Sequence, residues 1–205
     1  MIYTGVDEVG YGAFAGPIVA VAVTLSIPKT LKQMRTERFW PIAGVRDSKK
    51  MTALQRTKMR KEILSFLIDQ EGELGMAEFN AHHINENGYS SSVGTARDLA
   101  VIDATTNAGI TPDMIIVDGN VGLHEPTGPQ ICIPKADDIY WIVAAASVIA
   151  KTYRDNLMVR LAREHPEYGW ERNKGYGTAE HIAALKKHGM TPYHREQPCK
   201  TARAR

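Results

Sequence analysis

Gly5-Val6-Asp7-Glu8-Val9-Gly10-Tyr11-Gly12 sets two adjacent carboxylates between a short apolar run and a glycine-rich turn. Ile2, Val6 and Val9 mark a β-strand, and Ile18-Val19-Ala20-Val21-Ala22-Val23 reads as its hairpin partner. Unpaired buried charge is expensive, so a strand seldom carries two acids together into an interior. A divalent cation would offset that cost. The other acids of the chain therefore matter by position.

Downstream of the hairpin, loop sequence containing Pro28 and Pro41 leads to Gly44-Val45-Arg46-Asp47-Ser48-Lys49-Lys50. A helix is expected over 52–69, with Thr52 and Gln55 as a capping box and Leu54, Ile63, Phe66 and Leu67 as its apolar face. Residues 73–79 read as a strand. Asn87-Gly88 marks a turn before a helix over 90–108, closed by Gly109. Met114-Ile115-Ile116-Val117 is a continuous apolar run ending in Asp118, which fits a buried strand with an acid at its carboxyl end. Ligands of open α/β sheets favour that end. From Ile139 to about His165, apolar residues recur at three- and four-residue steps, which predicts the longest helix. Asp137 and Asp138 stand at its start, with Asp138 as the expected cap. Thr178 opens a last helix that Gly189 stops.

A chain of 205 residues with 43% apolar and 23% charged residues fits one globular domain, expected over 1–195. No apolar run approaches the roughly 20 residues that span a bilayer. With no signal-peptide pattern at the N-terminus, the expected location is the cytoplasm, away from membranes, and the expected state a monomer. Cys132 and Cys199 lie far apart and lack metal-ligand spacing. The net charge is only +2, but residues 196–205 form a basic tail containing Lys200, Arg203 and Arg205, next to Arg195. That placement suits contact with phosphate backbones, and a solvated helix face with a frayed end is the plainer alternative.

Asp7, Glu8, Asp118 and Asp137 are thus the acids singled out by position. Oxygen donors without thiolates or paired histidines suit hard Mg²⁺ or Mn²⁺. Two such ions can activate water and stabilise the leaving oxygen of a phosphoryl displacement. Spacing by itself leaves a second reading open, in which these are capping and surface acids.

The surrounding motifs select between the two. Gly5-Val6-Asp7-Glu8-Val9-Gly10 with Ala15-Gly16-Pro17-Ile18-Val19 resembles the opening of ribonuclease HII, the type 2 ribonuclease H. Asp47-Ser48-Lys49-Lys50, Val117-Asp118-Gly119 and Lys135-Ala136-Asp137 resemble its next three motifs. Ala145 through Lys151, with Arg154-Asp155, continues the fourth of these. Tyr168-Gly169-Trp170, Lys174-Gly175-Tyr176-Gly177-Thr178 and His194-Arg195 resemble its closing signature. The matches come in order and span most of the chain.

The resemblance implies an α/β chain with a ribonuclease H-like fold, a central mixed five-stranded sheet flanked by helices. It implies a divalent-metal endonuclease that cuts RNA paired with DNA and leaves 5′-phosphate and 3′-hydroxyl ends. Its metal and catalytic carboxylates fall on Asp7, Glu8, Asp118 and Asp137. Its substrate contacts fall on Gly10, Tyr11 and Gly12, and on Ser48, Lys49, Ser147, Lys151, Tyr176 and Arg195. Tyr176 takes the place of the residue that packs on the ribose and senses its 2′-hydroxyl, the group that distinguishes RNA from DNA. Lys151 has a competing partner in Asp155, four residues on. A DNA-junction nuclease of the same superfold and a noncatalytic hybrid-binding module are the alternatives.

The chain departs from the family pattern twice. Tyr11 stands where ribonuclease HII usually has Arg or Lys between two glycines, and Gln197-Pro198 stands where a Ser-Phe pair is usual. Tyr11 keeps the turn but brings no charge. Cutting within stretches of ribonucleotides is therefore expected to exceed cutting at a single ribonucleotide in DNA.

Overall fold

The opening hairpin is present and forms the centre of a five-stranded sheet. The computed structural model describes residues 1–37, 39–45, 48 and 51–203. Strand β1 (Ile2–Val9) pairs antiparallel with β2 (Ile18–Ser26), with Val6 opposite Ala22 and Asp7 opposite Val21. Outside β2 lies β3 (Glu73–Phe79), also antiparallel. On the other side β1 pairs parallel with β4 (Met114–Asp118), which pairs parallel with β5 (Gln130–Ile133). The order β3-β2-β1-β4-β5 is mixed, as the resemblance implied.

The helices are α1 (Leu31–Thr36), α2 (Ala53–Asp69), α3 (Ala81–Asn87), α4 (Tyr89–Ala104), α5 (Trp141–Glu164), α6 (Trp170–Asn173), α7 (Ala179–His188) and α8 (Glu196–Arg203). The capping box at Thr52 and Gln55 forms as its pattern predicts. Helix α5 is buried almost all round and crosses one face of β1 and β2, with α2 outside it. A helix apolar on every side belongs in a core rather than at a surface. Gly5 permits the closest approach, since a Cβ there would lie 2.6 Å from the Ile142 carbonyl carbon. Val6, Ile18, Ala20 and Ala22 cover the opposite face with Ala96, Ala100 and Val101 of α4.

Several boundaries differ from the sequence pattern. Helix α4 ends at Ala104 rather than near residue 108. Helices α1 and α3 and strand β5 lie in stretches too short for a period to register. Asp138 is not the cap of α5. It lies in a short 3₁₀ turn over Ala136–Asp138, and Tyr140 precedes the helix without a side-chain cap. The expected tail starts as helix α8, anchored by Cys199, which is fully buried in an apolar cluster with Ala15, Met158, Trp170 and Leu185. Among the described residues no helix is long and apolar enough to cross a membrane.

Candidate active site

Asp7 and Glu8 occupy the last turnings of β1, and the two-residue period of a strand sends them to opposite faces. Asp7 faces α5, where it shares a hydrogen bond with the Ser147 side chain. Its Oδ1 also accepts the Glu8 backbone N–H at 2.8 Å. Glu8 faces α4, where its Oε2 lies 2.8 Å from Arg97 Nε and 2.6 Å from another guanidinium nitrogen. Adjacency in sequence is thus not adjacency of carboxylates.

Asp118 ends β4, the parallel neighbour of β1, and its Oδ1 accepts the Ala136 N–H at 2.7 Å. That bond draws the 3₁₀ turn bearing Asp137 against the end of the sheet. The result is electrostatic crowding. Asp7 is 9% exposed. Burial pushes its carboxyl well above the usual carboxylate range, and the charges of Glu8, Asp118 and Asp137 push the same way against the Ser147 bond. Asp7 therefore feels the charges of the other three acids. Yet among the described residues no three His, Cys, Asp or Glu side chains are grouped to hold an ion. Hydrogen bonds account for part of this, with Glu8 drawn to Arg97 and Asp118 committed on one oxygen to Ala136. The donor chemistry, oxygen-only and anionic, nevertheless fits a hard divalent cation.

The other predicted contacts divide into exposed and structural groups. The turn over Gly10–Gly12 is held at Gly10, where φ is +104° and a Cβ would meet the Pro17 carbonyl oxygen at 2.6 Å. Tyr11 projects from it, 74% exposed, edge-on to Tyr89. Tyr176 forms an isolated bridge with Ala13, so its loop lies directly against this turn. The cations of Lys151 and Arg154 stand 5.6 and 5.4 Å from the centre of its ring.

Ser48 and Ser147 are both buried, and their hydroxyls lie 2.9 Å apart. They tie the residue 48 loop to α5 instead of facing solvent. Lys151 pairs with Asp155 at 2.8 Å, the alternative its spacing raised, and Asp155 also receives Arg56 at 2.8 Å. Lys49 lies outside the described residues. Arg195 needs correction as a surface contact. It is 2% exposed and donates to the carbonyl oxygens of Gly10 at 2.6 Å and Gly16 at 2.9 Å. Its guanidinium braces the glycine turn from inside.

Three further residues shape the site. Arg97 joins β1 to the loop after β4, because it also donates to the carbonyls of Val121 at 2.8 Å and Asp118 at 3.3 Å. Arg154 is fully buried and donates to Pro17, Lys174 and Ala15 carbonyls at 2.8, 2.9 and 2.9 Å. His181 lies between the Tyr176 carbonyl, at 3.0 Å from Nδ1, and His194 Nε2, at 3.1 Å from its own Nε2. A sequence signal existed for each. Arg97 shares a helical stripe with Ala100, Val101 and Ala104, Arg154 with Ala150, Met158 and Leu161, and His181 with Ala184 and Leu185. A polar residue on a core-facing stripe needs buried partners.

Residues 4–203 match the family model described as Ribonuclease HII. A ribonuclease HII from Cytophaga hutchinsonii is 40% identical over 195 residues, covering 95% of this chain and 87% of that protein. The crystal structure of ribonuclease H2 from Pyrococcus horikoshii OT3 superposes with a TM-score of 0.73 at 25% identity, covering 100% of this chain and 98% of that one. The structure of Bst-RNase HIII in complex with Mn²⁺ has the same TM-score, 0.73, at 21% identity, covering 100% of this chain and 70% of that one. At that identity it speaks to fold alone.

Proposed function

The chain belongs to the ribonuclease HII family and is an endonuclease acting on the RNA of RNA–DNA hybrids, and we propose that Asp7, Glu8, Asp118 and Asp137 form its metal-dependent catalytic centre. The observation that carries this reading is geometric: the parallel register of β1 and β4 brings Asp7, Glu8 and Asp118 to one end of the sheet, the Ala136–Asp118 bond draws in the turn bearing Asp137, and the charges of the three other acids all raise the buried carboxyl of Asp7. Such crowding is unfavourable unless a cation or a proton relieves it.

Asp7, Asp118 and Asp137 would hold Mg²⁺ or Mn²⁺, with Glu8 as the fourth carboxylate. A Mn²⁺ complex is known for Bst-RNase HIII, a protein of like fold. Bound there, such ions would supply activation of the attacking water and stabilisation of the leaving oxygen, consistent with 5′-phosphate and 3′-hydroxyl ends. The protein's own groups do the rest. Ser147 orients Asp7 from α5. Ser48 holds Ser147 in turn. Gly10 and Gly12 allow a phosphate to approach backbone closely. Tyr176, kept against Ala13, presents a ring and hydroxyl to the ribose, where the 2′-hydroxyl identifies RNA. Arg154 and Arg195 fix the carbonyls behind this surface, so turn and tyrosine keep their separation.

The test uses the purified chain on a long RNA–DNA hybrid and on the same duplex with DNA in both strands. Cutting of the RNA strand alone is expected, dependent on Mg²⁺ or Mn²⁺ and absent in Asp7→Asn and Asp118→Asn. Cutting of the all-DNA duplex would favour a DNA nuclease of the same superfold. Hybrid binding in chelator, with no turnover under either metal, would favour a noncatalytic module.

A further inference from the structure

Arg97 stands out among the buried cations because it meets a carboxylate assigned to the catalytic centre. Its side chain is 8% exposed and that of Glu8 is 15% exposed. Two guanidinium nitrogens converge on the single oxygen Oε2 of Glu8, at 2.8 and 2.6 Å. The remaining reach of the same group goes to the backbone carbonyls of Val121 and Asp118. A positive charge is thereby fixed between the ends of β1 and β4, beside the residue that carries the Asp118 carboxylate. Arg97 cannot leave without abandoning all these partners, since it is anchored on backbone from the loop after β4 as well as on Glu8.

This placement bears on the charge balance of the acidic cluster. Carboxylates gathered at the end of a sheet repel one another, and the parallel register that sets Val6 beside Val117 brings Asp7, Glu8 and Asp118 to the same end. A guanidinium on Glu8 cancels one charge of the set. Any divalent ion entering the cluster then meets both a reduced negative charge and a nearby fixed cation. Like charges at short range in a partly buried site interact strongly.

We propose that Arg97 is the resident counter-ion of the catalytic carboxylates, neutralising Glu8 in the ion-free enzyme and raising the concentration of divalent cation needed to load the site. The inference rests on the reading of Asp7, Glu8, Asp118 and Asp137 as the metal site. It makes Arg97 a positioning residue that acts through Glu8 and sets the threshold for loading.

The sign of the effect separates this role from mere structural support. Damage to a metal site weakens binding, whereas removal of a resident cation strengthens it. Calorimetric titration of the whole protein with Mg²⁺, and separately with Mn²⁺, measures this directly. Arg97→Gln is expected to tighten apparent affinity about tenfold. Its melting temperature should fall in chelator, and saturating Mg²⁺ should raise it by more than it raises that of the parent. Arg97→Lys keeps the charge and is expected to bind Mg²⁺ close to the parent affinity. Equal or weaker Mg²⁺ affinity in folded Arg97→Gln would overturn the proposal. A mutation-free measurement covers the case in which Arg97→Gln does not fold. In ¹⁵N-labelled parent protein, the Arg97 Nε–H resonance should shift during Mg²⁺ titration with the calorimetric midpoint. A resonance unmoved at saturation would equally sink the idea. Asp7→Asn serves as control. If parent and Asp7→Asn bind Mg²⁺ alike, the metal-site reading fails and takes the inference with it. If Asp7→Asn loses binding while Arg97→Gln binds like the parent, only the role of Arg97 fails.

Discussion

Two regions of this molecule bury ionisable groups, and they do so in opposite ways. At the end of β1 and β4, carboxylates crowd a buried Asp7, and their charges reinforce one another. Behind the Gly10 turn, Arg154, Arg195, His181 and His194 are equally buried, yet each has neutral partners suited to it. The guanidiniums donate to backbone carbonyls. The histidines are linked in a chain: Trp170 Nε1–H donates to His181 Nε2 at 3.1 Å, and the Thr191 N–H donates to His194 Nδ1 at 2.9 Å. His194 Nε2 lies 3.1 Å from the same His181 Nε2, so Trp170 and His194 share the single lone pair of that nitrogen, while His181 Nδ1–H donates to the Tyr176 carbonyl. A buried cluster held by neutral partners specifies structure, whereas carboxylates whose charges add at one place favour a cation.

Substitution at Asp7 should break the comparison most sharply. Asp7→Asn is expected to lower hybrid cleavage about a thousandfold or more, measured as initial rate on a labelled RNA strand. Its melting temperature in chelator should hold or rise, because one of the repelling charges is gone. The braced corner should respond the other way. Arg195→Ala leaves the Gly10 and Gly16 carbonyls without their donor and should cost about 3 kcal/mol of stability, read by urea unfolding.

A smaller effect follows from the histidines. Burial, with the neighbouring His181 and His165, lowers His194 from 6.5 to about 4, against opposing contributions from the Thr191 bond and Glu167. Burial also lowers His181, opposed by its bond to the Tyr176 carbonyl and by Glu180. The unfolded chain then binds more protons than the folded one between those values. Stability from this pair is complete above pH 6.5 and is lost as pH falls toward about 4. Melting temperatures across that window should decline, and His194→Gln should flatten the decline. The mildest effect concerns Tyr11, the exposed tip of the braced turn. The parent should cut stretches of ribonucleotides several times faster than a duplex with one ribonucleotide, and Tyr11→Arg should narrow the gap. Side-by-side rates on the two substrates measure it, and a faster rate on the single-ribonucleotide duplex would contradict it.

The site was more legible in sequence than its supports were. The acids stand beside strong local signals: Asp7 and Glu8 after an apolar strand, Asp118 closing a continuous one, Asp137 before the longest helix. Arg195 gave no such signal of its role. Its partners Gly10 and Gly16 lie 185 and 179 residues away, and a basic residue near a terminus looks solvated until those carbonyls are placed around it. Ser48 and Ser147 show the same limit, being 99 residues apart and hydrogen-bonded to each other.

Alternation of apolar residues, turn glycines and ordered motifs were enough to define a hairpin-centred α/β chain and the acids at its strand ends, since these are set by neighbours along the chain. Which face each acid takes was decided only by the packed sheet. Strand periodicity turns Asp7 toward Ser147 and Glu8 toward Arg97, and the partners waiting on either side come from helices distant in sequence. Charge acts through space, so the balance between repulsion and neutralisation at this site exists only once the chain has folded.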